Sequence, residues 1–158
     1  MITTLLFDCS RTLLFPLDEN YNGGLNSLHR ELGKDGEYDF WQHFRLNEEL
    51  LKGLHTDTMH ALYQMFVFTT ETIQDTPVCR ARLVKVFDGI YSAQKFNLDK
   101  KNPEAYRFIA GQISVNCEDV LFIDDQQVNI DAAKEAGMQT VLFTDNALLL
   151  KELGELRG

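Results

Sequence analysis

"VLFIDDQQVNIDAAKEAGMQTVLF", residues 120–143, reads as strand, acidic turn, helix and strand in one pass. Its flanks, 120–123 and 140–143, are short, apolar and rich in β-branched and aromatic side chains, as strands buried on both faces should be. Between them, 129–137 carries a helical pattern that stops at Gly137, a residue suited to a helix C-terminus. The acid pair Asp124 and Asp125 falls where the first of these strands ends.

Working outward, the same alternation continues. Residues 2–7, 63–68 and 89–93 are further short apolar runs, which gives five parallel strands as the simplest reading. Helical patterns occupy 46–63, 77–87 and 103–113, with Pro103 placed for a first helical turn, and the end of the chain, "DNALLLKELGELRG", reads as an amphipathic helix. The fold class is therefore α/β, a Rossmann-like doubly wound sheet with helices on both faces and right-handed crossovers. One stretch breaks the rhythm: residues from about 16 to 45 carry turn signals and two short helical patterns, 25–32 and 38–46. We read them as a small helical insert after strand 1, whose aromatics Phe40, Trp41 and Phe44 pack it onto the core. At 158 residues the chain suits a single domain, 1–158, with no repeat or Pro-rich linker.

The formal charge of −9 argues against nucleic acid or an anionic membrane as a partner. No segment approaches a membrane span, and the opening "MITTLLFD" lacks the basic region of a signal peptide. Cys9, Cys79 and Cys117 are widely spaced and odd in number, which fits reduced thiols in the cytoplasm and disfavours zinc. The four histidines have no metal-like spacing either.

In an open parallel sheet, ligands sit beyond the carboxyl ends of the strands. Asp8 follows the run ending at Phe7, Thr69 and Thr70 follow Phe68, and Asp124 and Asp125 follow Ile123. Any one of these alone would be a turn or cap residue, but together they put carboxylates and hydroxyls around one crevice. That set suits phosphoryl transfer through an aspartyl phosphate, with Mg²⁺ on Asp8 and Asp125, phosphoryl contacts near Thr69 and a lysine, Lys100 or Lys101, at the rim.

These residues also carry a family likeness. "FDCSRT" (7–12), "FTT" (68–70), "DKKNPEAY" (99–106) and the stretch at 120–143 resemble the four ordered motifs of the haloacid dehalogenase-like hydrolase superfamily. The resemblance implies Mg²⁺ dependence and hydrolysis of a small phosphorylated substrate. Carried over, Asp8 would be nucleophile and metal ligand, the carbonyl of Ser10 a second ligand, Asp125 a direct ligand and Asp124 its neighbour in the metal shell. Thr69 would bind the phosphoryl group beside Thr70, Thr12 would support the loop, and Asn129 would orient its neighbours. Lys100 aligns best with the basic residue of the third motif, with Lys101 left open.

Where phosphatases of this superfamily usually have a second Asp, two residues after the nucleophile, this chain has Ser10. A hydroxyl cannot serve as a general acid near neutral pH, and losing such a group costs about 10² to 10⁴ in rate. Three readings follow: a phosphatase for leaving groups that need little protonation, such as acyl or aryl phosphates; a phosphate-binding regulatory module of little or no turnover; and, ranked lowest, a 2-haloacid dehalogenase, against which the acid pair speaks. The short insert predicts an open site, for a bulky substrate or for a homodimer in which the second copy supplies a lid.

Overall fold

The computed structural model describes residues 1–157, so Gly158, the end of the expected C-terminal helix, lies outside the described residues. At its centre is a five-stranded parallel sheet in the order β5-β4-β1-β6-β7, formed by β1 (Thr4–Phe7), β4 (Gln64–Thr69), β5 (Gly89–Ser92), β6 (Val120–Asp124) and β7 (Gln139–Leu142). All five strands fall on the apolar runs of the sequence. β1 is central, with Thr4–Phe7 in register with Gln64–Val67 on one side and Val120–Ile123 on the other.

Alternate side chains of these strands feed two separate cores. Leu5, Phe7, Met65, Val67, Leu121 and Ile123 join one, which also takes in Leu50, Leu83 and Leu149; Leu6, Phe66, Phe68 and Phe122 join the other, with Tyr106, Ile109, Ile130 and Ala133. Helices α2 (Glu48–Leu54), α4 (Pro77–Leu83) and α7 (Asn146–Arg157) therefore cover one face, and α5 (Pro103–Gln112) and α6 (Gln127–Ala136) the other. Burial on both faces is why β1 and β6 contain no polar side chain that points to bulk water. At the end of α6, Gly137 takes φ 104, a left-handed conformation that a side chain would resist.

Two local readings change. The pattern at 46–63 forms two helices, α2 and α3 (Asp57–Leu62), because two polar side chains cap separate starts: Asn47 Oδ1 accepts from Leu50 N, and Thr56 Oγ1 accepts from Met59 N. The pattern at 38–46 is not a helix but a 3₁₀ turn, Phe40–Gln42, followed by β3 (Phe44–Leu46), which pairs antiparallel with β2 (Leu14–Pro16). Phe44 and Leu46 are buried and Arg45 between them is exposed, a period of two that only a strand satisfies. The ribbon closes the base of the insert, which carries α1 (Leu25–Leu32). Phe40 and Phe44 do join the first core, their rings stacked 4.8 Å apart. No helix among the described residues is long and apolar enough to cross a membrane.

Candidate active site

The strand order turns back on itself around β1, so the crevice beyond its carboxyl end opens between the ends of β4 and β6. Asp8 lies immediately beyond β1, its N–H donating to the carbonyl of Ile123 at 2.8 Å. Thr69 ends β4, Asp124 ends β6, and Asp125 begins the turn into α6. Carboxylate oxygens of Asp8, Asp124 and Asp125 all lie within 4.8 Å of one another.

One ammonium holds this cluster together. Lys100, 3% exposed, donates from Nζ to Asp8 Oδ1 at 2.8 Å, Asp124 Oδ2 at 3.0 Å and the carbonyl of Phe68 at 3.0 Å. Those contacts use all three of its donors. It also lies 5.5 Å and 5.4 Å from the ring centroids of Phe68 and Phe122, whose faces favour a cation. Tyr106 Oη donates to the Lys100 carbonyl at 2.7 Å and so fixes the backbone from which the side chain reaches inward. Lys101, by contrast, is exposed; the turn that points Lys100 into the core points its neighbour to solvent. Of the two lysines that the sequence leaves open, only Lys100 meets Asp8.

Three clustered carboxylates thus share one buried ammonium, which pairs with two of them, and the imbalance appears in the titration of Asp8 and Asp125. Burial raises Asp8 from the ordinary carboxylate range to about 7; Lys100 pulls it down, while the charges of Asp124 and Asp125 push it further up. Burial, then the Asp124 charge, also raises Asp125. For Lys100 burial works to lower the value, but the Asp8 and Asp124 charges outweigh it and the net shift is upward. The two partners respond unequally because the ammonium has two carboxylates to satisfy and each carboxylate has only a share of it. An additional cation would relieve this excess, and an all-oxygen donor set suits a hard divalent ion such as Mg²⁺.

The remaining candidates surround this centre. Asn129 donates from Nδ2 to Asp124 Oδ2 at 2.9 Å, and Gln126 N donates to Asp124 Oδ1 at 2.9 Å, which leaves Asp124 fully engaged and Asp125 the freer acid. Ser10 and the exposed Thr70 line a cleft of about 260 Å³ with Asp8, Thr69, Asp125 and Asn129. Thr12 is fully buried with its hydroxyl unpartnered, while its carbonyl accepts from Asn47 Nδ2 at 3.0 Å.

Some of the cleft was not foreseen. Arg11, Asn26, Ser27 and Glu71 also line it. The insert closes against the loop after β4: Arg30 is ion-paired with Glu71, and Ile73 N donates to Asn26 Oδ1 at 2.9 Å. The first turn of α1 thus forms one wall of the cleft. A larger hollow of about 610 Å³, between α1, residues 36–41 and the start of α4, holds none of the three carboxylates.

Comparison with known proteins follows the same lines. The family described as haloacid dehalogenase-like hydrolase matches residues 28–143. An enolase-phosphatase of Pseudomonas fluorescens is 31% identical over 121 residues, covering 68% of this chain and 50% of its own. A sesquiterpene phosphatase of Aspergillus oryzae is 32% identical over 73 residues, 46% of this chain and 37% of its own, and a bifunctional epoxide hydrolase of Rattus norvegicus is 31% identical over 72 residues, 46% and 13%. This chain spans half or less of the length of these curated relatives. Among solved structures, a hydrolase of the same superfamily from Geobacter sulfurreducens shares the fold with a TM-score of 0.70 at 14% identity, over 99% of this chain and 97% of its own. A family enzyme of Bacteroides thetaiotaomicron, solved with magnesium and inorganic phosphate, shares it with a TM-score of 0.68 at 16% identity, over 94% and 99%.

Proposed function

The chain belongs to the haloacid dehalogenase-like hydrolase family, and from that premise we propose that it is a Mg²⁺-dependent phosphohydrolase working through a phosphoryl group carried on Asp8. The observation that carries the proposal is the meeting of Asp8, Asp124 and Asp125 at the carboxyl ends of β1 and β6, with the Lys100 ammonium bound to the first two. Asp8, Asp125 and the carbonyl of Ser10 are the groups that would hold the ion, with Asp124 beside them. When bound, Mg²⁺ supplies the positive charge that lets a carboxylate approach an anionic phosphorus centre.

Within the chain, Lys100 orients Asp8 and offsets its charge, and Asp124 is a positioning residue that grips Lys100 and Asn129 on one oxygen. The Thr69 hydroxyl, with the backbone near Thr70, would receive phosphoryl oxygens at the cleft floor. Cys9, Cys79 and Cys117 are free thiols, which suits a reducing compartment such as the cytoplasm. Relatives of this family named as phosphatases support the reaction class.

Ser10 favours a second reading, in which the site binds Mg²⁺ and phosphate without useful turnover. Phosphate release from a panel of phosphorylated compounds, with Mg²⁺ and with a chelator, separates the two. For a phosphohydrolase, wild type turns over and Asp8→Asn does not. If wild type is inert and Ser10→Asp is active, the binding-module reading replaces the first.

A further inference from the structure

Resting on the phosphohydrolase reading, we propose that the substrate class is a small acyl phosphate and that Arg11 is the specificity-determining residue that receives the departing carboxylate. Arg11 follows Ser10 with φ 59, a left-handed conformation that residues other than glycine seldom take. Its side chain is pinned to the insert, where Nη2 donates to the carbonyls of Tyr21 at 3.1 Å and Gly23 at 2.7 Å. Among the described residues, Nε and Nη1 have no hydrogen-bond partner, and Arg11 is one of the residues that line the cleft with Asp8 and Asp125. Glu71 on the same wall is already paired with Arg30, so it does not use up this charge. A fixed guanidinium whose Nε and Nη1 donors are open suits an anionic group of the ligand, which it meets through single charge-assisted hydrogen bonds because Nη2 is already occupied.

Size and lining narrow the class further. A cleft of about 260 Å³ falls below the ordinary range for drug-sized ligands, about 300–1,000 Å³. Among its lining side chains only Leu25 is large and apolar, and no aromatic ring offers a stacking face, which disfavours an aryl group.

The missing acid fits the same class. Asp8 attacks phosphorus, a carboxylate-oxygen to phosphorus bond forms, and the bond from phosphorus to the acyl oxygen breaks. The electron pair stays on that oxygen, which leaves as a carboxylate and needs no proton, because carboxylic acids ionise near pH ~4. Water then attacks phosphorus, the bond to Asp8 breaks to restore its carboxylate, and the proton from water passes to the phosphate released. Both steps expel a carboxylate, so neither needs a proton donated to its leaving group, and in the second the phosphoryl oxygens take the proton that Ser10 cannot. An alkyl phosphate would have to expel an alkoxide in the first step.

The test compares acetyl, phenyl and ethyl phosphate with Mg²⁺, using the full chain and taking Asp8→Asn as the blank. Wild type is expected to favour acetyl over ethyl phosphate by about 10² or more in kcat/KM, the range that a general acid normally supplies. Arg11→Ala should lose about tenfold to a hundredfold on acetyl phosphate, and less on phenyl phosphate, with Arg11→Lys recovering part of the loss. Thermal melting of both variants checks that the loop still folds, and the preference of wild type does not depend on either. Equal or better turnover of ethyl phosphate overturns the acyl assignment and leaves the phosphohydrolase reading standing. An equal loss on all three substrates overturns the role of Arg11. No Asp8-dependent release from any of them overturns both proposals.

Discussion

Asp8 is where residue chemistry and stability meet. Its proton is held up to about pH 7 in the folded protein, chiefly by burial, whereas an unfolded aspartate gives it up near pH ~4. Between these limits the native state binds more protons than the unfolded chain, so the metal-free protein loses stability as pH rises. The loss should be on the order of 3 kcal/mol from about pH 5 to about pH 8, read by urea unfolding with a chelator present. Asp8→Asn should remove most of that slope, since the amide can still accept from Lys100; Asp125, shifted in the same direction, keeps a remainder. Equal slopes in the two proteins would place the proton elsewhere. The lysines make a second contrast. Lys100→Ala strands two carboxylates, Asp8 and Asp124, in the interior and should cost about 3–5 kcal/mol. Lys101→Ala, on the exposed neighbour, should stay within about 0.5 kcal/mol by the same measurement.

Elements place these residues, and one polar side chain links several of them. Asn47 caps α2 through Leu50 N, donates to the Thr12 carbonyl in the loop after Asp8, and exchanges hydrogen bonds with Asn146 at the start of α7 at 2.7 and 2.8 Å. Asn47→Ala should cost about 1–3 kcal/mol in thermal or urea unfolding, because a cap and a buried acceptor lose their partner together. An unchanged midpoint would show that water replaces those contacts freely. Nothing in the sequence announces this residue, since its contacts span 35 and 99 positions. The strand ends were legible for the opposite reason: apolar runs terminate at Phe7, Phe68 and Ile123, and parallel pairing brings those ends together whatever the helices do. Where the sequence misled, at 38–46, aromatic content suggested a helix face while burial alternated as in a strand. Arg11 escaped notice because its place in the cleft depends on a positive φ and on insert carbonyls, neither of which residue type reveals.

The whole molecule joins the site to global stability, and its thiols report that link. Cys9 and Cys79 belong to the first core and are fully buried; burial raises Cys9 well above its ordinary value and pushes Cys79 up to about 12. Cys117 is partly exposed at the start of the turn before β6. A thiol reagent should therefore label one site on the native protein and three after denaturation. Labelling of Cys9 and Cys79 in native buffer must pass through opening of the core that also holds β1 and β6, so its rate tracks the unfolded population. A ligand that binds only the folded protein reduces that population, by about 2.7 kcal/mol at a hundred times its dissociation constant. If Asp8 and Asp125 hold Mg²⁺, saturating magnesium should slow labelling of the two buried thiols about a hundredfold while Cys117 keeps its rate. Asp8→Asn should lose most of this protection, because the ion then meets one fewer carboxylate. Were magnesium to leave all three rates unchanged in wild type, the carboxylate cluster would not be a metal site, even though its charge excess calls for a cation.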